Sequence, residues 1–420
     1  MQTQAGLRLL PDTARLDDGR LSIGGIAAAD LVRDHGSPLL VYDEATLRER
    51  ARAYHRAAPE ASVVYGTKAF PNLAVMRILA DEGIGADVST LGELRFAQAA
   101  GIGGERLVFH GNNKSDEELA AAAGSGALVV IDSLEEVERA RAAGVARTLI
   151  RVTPGIEADT HESIRTGHHG SKFGLTPEDS LEALRLGPGA EGLHMHIGSG
   201  LRDLGAARMA VDWIASFAAR ARDELGWNIR TLDLGGGLGV ATALEEPELS
   251  IEEFTVGLLA ELKRASSQEG LAPPELILEP GRSLTARAGI TLYTVGSVKT
   301  SADSTAYVSV DGGMSDNPRP ALYGARYTAI LADRADEQPD RSYTIVGKHC
   351  ESGDLLIDGV DLPEPHRGDL LAVPATGAYT LAMSSTYNAV PRPAAVLVVD
   401  GEARVIRRRE TLDDLLALEP

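Results

Sequence analysis

Eight short apolar runs punctuate the chain between Val63 and Glu279: Val63–Thr67, Gly85–Val88, Leu107–His110, Ala127–Ile131, Thr148–Val152, Gly192–His196, Thr231–Leu234 and Glu275–Glu279. They are too short for helices and nearly continuous in apolar character, the pattern of strands covered on both faces. Between them lie longer stretches rich in Ala, Leu, Glu and Arg, among them Leu73–Asp81, Leu91–Ala100, Ser133–Ala143, Leu204–Asp223 and Ile251–Ala265, which read as helices. Capping residues open several of these: Ser89 or Thr90 with Glu93 beyond, Ser115, Ser133 and Ser250. Eight strand-helix units in succession predict an α/β fold built on a closed (β/α)8 barrel of the TIM type.

After Arg287 the texture changes. Short strand-like runs at Ile290–Val298, Ala306–Val310, Tyr343–Val346, Asp369–Val373, Ala394–Val399 and Ala403–Ile406 are broken by Gly, Pro and Asp, which predicts a β domain. Before Leu39, Arg15–Leu16 and Leu21–Ile23 flank an Asp17-Asp18-Gly19 turn and form a hairpin assigned to that β domain. The expected division is a barrel over 39–287 and a β domain from 1–38 plus 288–420. The acidic tail after Arg409 reads as a solvated helix.

The length of 420 residues suits a large barrel with a companion domain. Forty-one basic against 61 acidic side chains leave a net charge of −20, a field that repels phosphate backbones and disfavours a nucleic-acid partner. One cysteine, Cys350, cannot close a disulfide within the chain or build a zinc site. The start of the chain has no basic-then-apolar leader, and no run reaches membrane-helix length, so a cytoplasmic protein without membrane contact is expected. The sequon at Asn113–Ser115 is then a chance match.

Barrel chemistry sits at the C-terminal ends of the strands. There the first run ends in Tyr65-Gly66-Thr67-Lys68-Ala69-Phe70, which places a lysine among apolar neighbours. A desolvated amine is a nucleophile toward carbonyls, so Schiff-base chemistry is one reading. An ion-paired or snorkelling lysine is the commoner case for any single residue. The sixth run ends in His194-Met195-His196-Ile197-Gly198-Ser199, and the seventh enters Asp233-Leu234-Gly235-Gly236-Gly237-Leu238-Gly239. Consecutive glycines let backbone N–H groups converge on a phosphate, although a tight turn without ligand has the same composition. His194 and His196 share a strand face, but no third ligand at clear spacing completes a metal site. The eighth run ends in Glu279-Pro280-Gly281-Arg282, a carboxylate and a guanidinium that suit a pyridinium nitrogen and a phosphate. Together these motifs point to pyridoxal 5′-phosphate.

The ordered set YGTKAF, HMHIGSG, LDLGGGLG, LEPGRSL, DGGMSDNPRPALYGARY, GKHCESGD and GAYTLAMSSTYNAVPRP resembles the diaminopimelate decarboxylase family. This is a fold-type III pyridoxal-phosphate family related to ornithine decarboxylase and alanine racemase, and the resemblance runs from Pro38 onward. It implies that Lys68 carries the cofactor, His196 stacks on its ring and Glu279 meets the ring nitrogen. It further implies that Asp87 assists His196 or Lys68, that Ser199, Gly235, Gly236, Gly237, Gly281 and Arg282 surround the phosphate, and that Tyr379 contacts the cofactor. For the substrate it implies Arg282, Arg319 and Tyr323 on a carboxylate and Glu351 on the distal ammonium, with Tyr379 nearby. Cys350 would return a proton to the α-carbon from the other subunit, so the family expectation is a homodimer with shared sites. The implied reaction is decarboxylation of meso-2,6-diaminopimelate to L-lysine.

Two positions depart from the family pattern: Gly200 stands where many members carry glutamine, and GTKAFPN is closer to the ornithine branch. They leave open a related diamino-acid decarboxylase of the ornithine or lysine type. A pyridoxal-phosphate-binding protein without turnover is the alternative of another class. The loop 160–173, with His161, His168 and His169, reads as a surface segment that could close over substrate rather than as a metal site.

Overall fold

The structure, a computed structural model, describes residues 8–154, 172–187 and 189–420. The chain forms two compact units, one from Arg50–Gly239 and Glu248–Ser283, the other from Met1–Glu49, Val240–Pro247 and Leu284–Pro420. The loop expected over 160–173, with its three histidines, falls almost wholly outside the described residues.

The first unit is the barrel. Its strands are β1 (Ser62–Gly66), β2 (Gly85–Val88), β3 (Leu107–Phe109), β4 (Leu128–Ile131), β5 (Thr148–Arg151), β6 (Ala190–His194), β7 (Thr231–Asp233) and β8 (Glu275–Leu278). All eight predicted runs are present, in order, and β8 pairs in parallel with β1 to close the ring. Val64, Val108, Leu128, Val130, Leu149 and Ile277 form an apolar cluster among these strands. Predicted caps are observed: Thr90, Ser115, Ser133 and Ser250 each accept the N–H three residues on, and Ser115 and Ser250 form reciprocal capping boxes with Glu118 and Glu253. Gly192 in β6 is there for close approach, since a Cβ would lie 1.8 Å from the Thr231 carbonyl oxygen of β7.

One buried ion pair was not foreseen. The Lys114 ammonium, from the chance sequon, is fully enclosed and donates to the carbonyls of Gly111 and Val130, each at 2.7 Å, and to Glu136. The other Glu136 oxygen accepts the Asp132 N–H at 2.9 Å. This knot ties the loop after β3 to the end of β4 and to the next helix. Burial pushes the Lys114 pKa down, against the pull of Glu136.

The second unit is built on a nine-stranded sheet. Its main path runs Leu355–Leu362, Arg341–Val346, Ala306–Val310, Gly289–Thr300, Leu39–Asp43, Ala394–Val399 and Glu402–Arg407. The expected barrel start at residue 39 needs correcting: Leu39–Asp43 lies in this sheet, antiparallel to Gly289–Thr300 and parallel to Ala394–Val399, and the barrel unit begins at Arg50. A five-residue buried apolar run states that it is a covered strand but not which sheet covers it. The hairpin Arg15–Asp17 and Arg20–Ile23 belongs to this unit as predicted, in a small sheet with Ile26–Ala27. Strand Leu355–Leu362 escaped the sequence reading because Asp358, Gly359 and Asp361 interrupt its apolar pattern. The tail forms the short exposed helix Leu412–Leu416. No helix among the described residues is long and apolar enough to cross a membrane.

Removing one member of the enclosed pair should cost more than removing both. Lys114→Met is expected to destabilise by about 3–5 kcal/mol because it strands a buried carboxylate, and the double variant Lys114→Met/Glu136→Leu to recover at least about half of that loss. Urea unfolding of the two variants measures this directly.

Candidate active site

The C-terminal ends of the barrel strands hold the chemistry. β1 leads into the turn Thr67–Ala69, which is pinned on both sides: the Tyr65 hydroxyl donates to the Phe70 carbonyl at 3.1 Å, and the Thr67 hydroxyl donates to the Asp87 carbonyl at 2.7 Å. Lys68 projects from this turn, its Nζ 3.2 Å from Asp87 Oδ2. Its side chain is 57% exposed, so of the two readings open for this lysine the geometry agrees with the ion-paired one and not with a desolvated amine. The apolar residues around it in sequence, Tyr65, Ala69 and Phe70, turn inward and are buried, while Lys68 turns out to pair with Asp87.

Behind Asp87 lies a cluster that sequence reasoning found only in part. His110, one residue past β3, hydrogen-bonds through Nε2 to Glu279 Oε1, and the same nitrogen stands 3.8 Å from Asp87 Oδ1. His194, the last residue of β6, lies 3.7 Å from Glu279 Oε2 and meets the His110 ring edge-on at 4.8 Å. Asp233 ends β7 and accepts the Gly235 N–H at 2.8 Å. His110 and Asp233 were missed, although their places at strand ends were the available signal. His110, His194, Asp233 and Glu279 could each offer a ligand atom, all within 4.8 Å of one another, so the spacing that sequence could not supply is supplied by barrel closure. The closest pair, however, is the His110–Glu279 hydrogen bond, which already uses the lone pair and proton that a metal would displace.

The environments sort the protons. Burial would raise the Glu279 pKa, but His110 and His194 outweigh it and hold the carboxyl well below its usual range. Burial and then the Glu279 charge push the Asp233 carboxyl the other way, well above its ordinary value. Burial pushes His194 down to about 3, and burial with the Lys68 charge pushes His196 down to about 4. Both imidazoles are therefore neutral. Buried acceptors without a hydrogen-bond partner remain at Asp87 Oδ1 and Asp233 Oδ2.

His196 sits two residues past β6, its Nε2 3.4 Å from the exposed Ser199 hydroxyl. The glycine triplet is required by packing: Cβ atoms at Gly235, Gly236 and Gly237 would lie 2.6 Å from His196 Nδ1, 2.4 Å from the Glu279 carbonyl oxygen and 2.5 Å from the Gly198 carbonyl oxygen. Gly235 at φ +68° and Gly237 at φ +112° also need glycine conformationally. The loops after β6, β7 and β8 thus interleave through this triplet. Gly281 approaches Gly66 across the β8–β1 closure, and Arg282 opens the short helix Arg282–Thr285. A primary amine, a neutral imidazole, an ionised carboxylate, unpartnered buried acceptors and a glycine loop with Arg282 behind it fit a phosphorylated pyridine aldehyde.

Within the second unit, three loops assemble another cluster. Arg319 opens the short helix Arg319–Tyr323, and its guanidinium carbon lies 5.6 Å from the Tyr323 ring centre and 5.7 Å from that of Tyr379. Its Nε is buried without a hydrogen-bond partner. Tyr379 has φ +59°, a left-handed conformation that costs a non-glycine residue strain. Exposed Cys350 donates its backbone N–H to Asn388 Oδ1 at 2.9 Å. Hydrogen bonds from the Gly353 N–H at 3.2 Å and the Tyr387 hydroxyl at 3.3 Å hold the Glu351 carboxyl below its usual range. His349 links this loop to the one before Arg319 through a 2.8 Å contact with the Ser315 hydroxyl. Sequence reading singled out neither Asn388, Tyr387 nor His349, because the groups they hold are set by folding alone.

Residues 44–286 match the family model described as "Pyridoxal-dependent decarboxylase, pyridoxal binding domain". The diaminopimelate decarboxylase of Actinosynnema pretiosum subsp. auranticum is 46% identical over 98% of this chain and 95% of its own length. That of Bacillus subtilis is 42% identical over 96% and 95%. The crystal structure of diaminopimelate decarboxylase from M. jannaschii in co-complex with L-lysine superposes with a TM-score of 0.91 at 31% identity, covering 97% of this chain and 98% of that one. On the family model and these near-full-length likenesses, the chain belongs to the diaminopimelate decarboxylase family of pyridoxal-phosphate-dependent decarboxylases.

Proposed function

We propose that the protein removes one carboxylate of meso-2,6-diaminopimelate as CO2 and releases L-lysine. The observation that carries the substrate choice is Arg319: a guanidinium with an unpartnered buried Nε beside two tyrosine rings, in the same unit as the ionised Glu351. A cation and an anion suit a substrate whose distal end bears both carboxylate and ammonium. Ornithine and lysine have no distal carboxylate for Arg319 to meet. At Gly200, one of the departures, φ is +76°, a conformation that favours glycine, and a Cβ there would have nothing within 4 Å.

When bound, pyridoxal phosphate supplies an electron sink for the carbanion left as CO2 departs. In this reading Lys68 holds it covalently and Asp87 orients the lysine amine. Neutral His196 would lie against the ring, and Glu279, kept ionised by its two imidazole neighbours, would accept a hydrogen bond from the protonated ring nitrogen. Ser199, Gly235, Gly236, Gly237, Gly281 and Arg282 hold the phosphate, with Tyr379 beside it. Arg282, Arg319 and Tyr323 bind carboxylate, and Glu351 binds the distal ammonium. These contacts select which bond of the α-carbon is broken.

The Cys350 thiol then delivers a proton to the α-carbon. We assign this thiol to the site of a second copy of the chain, in a homodimer with shared sites. Cys350 and Glu351 are exposed on their own unit, and Leu322 and Tyr323 beside Arg319 are 59% and 63% exposed, apolar area that a partner would cover. A free thiol with this duty suits the reducing cytoplasm.

The substrate assignment is tested by supplying meso-diaminopimelate, ornithine and lysine separately to the cofactor-loaded protein and following CO2 and products by mass spectrometry. Lysine and CO2 from meso-diaminopimelate alone are expected. Turnover of ornithine or lysine instead would overturn the substrate and keep the cofactor reading, and a visible cofactor band without turnover would favour a binding protein. Arg319→Leu should raise KM for meso-diaminopimelate on the order of 100-fold, since a charged hydrogen bond is worth about 1.5–3 kcal/mol, while the cofactor band stays.

Shared sites predict complementation. Lys68→Ala should lose covalent cofactor attachment, Cys350→Ala should keep it and turn over slowly, and a mixture of the two should regain activity through mixed dimers. Subunit exchange shown by mass spectrometry without any regain would place Lys68 and Cys350 on one subunit.

A further inference from the structure

The two imidazoles around Glu279 also cover it on both sides. Both oxygens of the carboxylate are covered, Oε1 by His110 from the end of β3 and Oε2 by His194 from the end of β6. The two rings meet edge-on, their centres 4.8 Å apart. All three residues are buried. We propose that His110 is a positioning residue for the reaction: its Nε2–H, fastened on Glu279 Oε1, fixes both the orientation and the charge of the carboxylate that meets the cofactor's ring nitrogen, with His194 closing the other side. The inference rests on the assignment of Glu279 to that nitrogen.

The surroundings explain why such a device is needed. Glu279 is faced by His110 from β3, His194 from β6 and Asp233 from β7, while His110 is also faced by Asp87 from β2 at 3.8 Å. Lys68 pairs with the other oxygen of Asp87, and the charge of Arg151 also acts on His194. His194 stands beyond hydrogen-bond distance of the carboxylate, so the donated proton comes from His110. A buried acid with a second acid beside it tends to take up a proton. Without the His110 hydrogen bond, Glu279 would lose the donor that favours its ionised form, and a neutral acid cannot hold a proton on a ring nitrogen. The ring would then withdraw electrons poorly.

The test compares His110→Phe, His110→Gln and Glu279→Gln, loaded with cofactor carrying a 15N-labelled ring nitrogen. His110→Phe should still attach cofactor through Lys68 but show the ring nitrogen resonance of the unprotonated form at neutral pH, with kcat reduced on the order of 100-fold and KM little changed. His110→Gln, whose amide can still donate, should lie between it and the parent. In cofactor-free protein with 15N-labelled histidine, Glu279→Gln should shift the His110 ring resonances, a readout that does not depend on turnover and stands even where His110→Phe fails to fold. A parent-like ring nitrogen and kcat in His110→Phe overturns the proposal, as does a His110 resonance indifferent to Glu279→Gln. If Glu279→Gln itself leaves the ring nitrogen and kcat unchanged, the assignment of Glu279 fails, and with it the basis for His110.

Discussion

Closure of the barrel between β8 and β1 is the constraint on which the site depends. Ile277 and Leu278 pair with Ser62 and Val63, and this register sets the two strand ends, with Lys68 following one and Glu279 the other, on neighbouring strands. The same ring brings the ends of β2, β3, β6 and β7 inward, and with them Asp87, His110, His194 and Asp233. None of these is near Glu279 in sequence: His110 is 169 residues away. A parallel barrel presents every strand's C-terminal end to one face, so residues that share only the property of ending a strand become neighbours.

Packing and chemistry use the same atoms in this arrangement. The glycine triplet was legible as either a phosphate loop or a tight turn, and the structure shows that the turn alone demands glycine at each position. That demand draws the β6, β7 and β8 ends together, which places Glu279 against His194 and sets the Gly235 N–H on Asp233. Two acids on adjacent strands are then pushed in opposite directions, Asp233 up by burial and the Glu279 charge, Glu279 down by its hydrogen-bonded imidazole neighbours. The loop is thus no neutral scaffold for an anion.

The sequence made the barrel legible because its strands are buried on both faces and its helices carry explicit caps. It left Leu39–Asp43 ambiguous, since an LLVYD run satisfies a barrel and a mixed sheet equally, and only pairing with Gly289–Thr300 and Ala394–Val399 decides between them. Lys68, His196, Glu279 and Cys350 stand in recognisable motifs and were candidates on sequence and resemblance alone. His110, Asn388 and the Lys114–Glu136 pair could not, because each matters through a partner distant in sequence that only the fold reveals.

Lys68 shows how sequence neighbours and spatial neighbours can differ. Its apolar neighbours in sequence left open a desolvated amine or an ion-paired one, and with Tyr65 and Phe70 buried and the Tyr65 hydroxyl on the Phe70 carbonyl, the lysine side chain stays more than half exposed against Asp87. What singles it out is its place: a lysine at the end of β1, next to the strand that ends in Glu279, with neutral His196 beyond. A single residue's local surroundings decide its burial, but its chemistry is decided by which other strand ends it meets. That is why the ordered set of motifs carried the reading where the lysine alone did not.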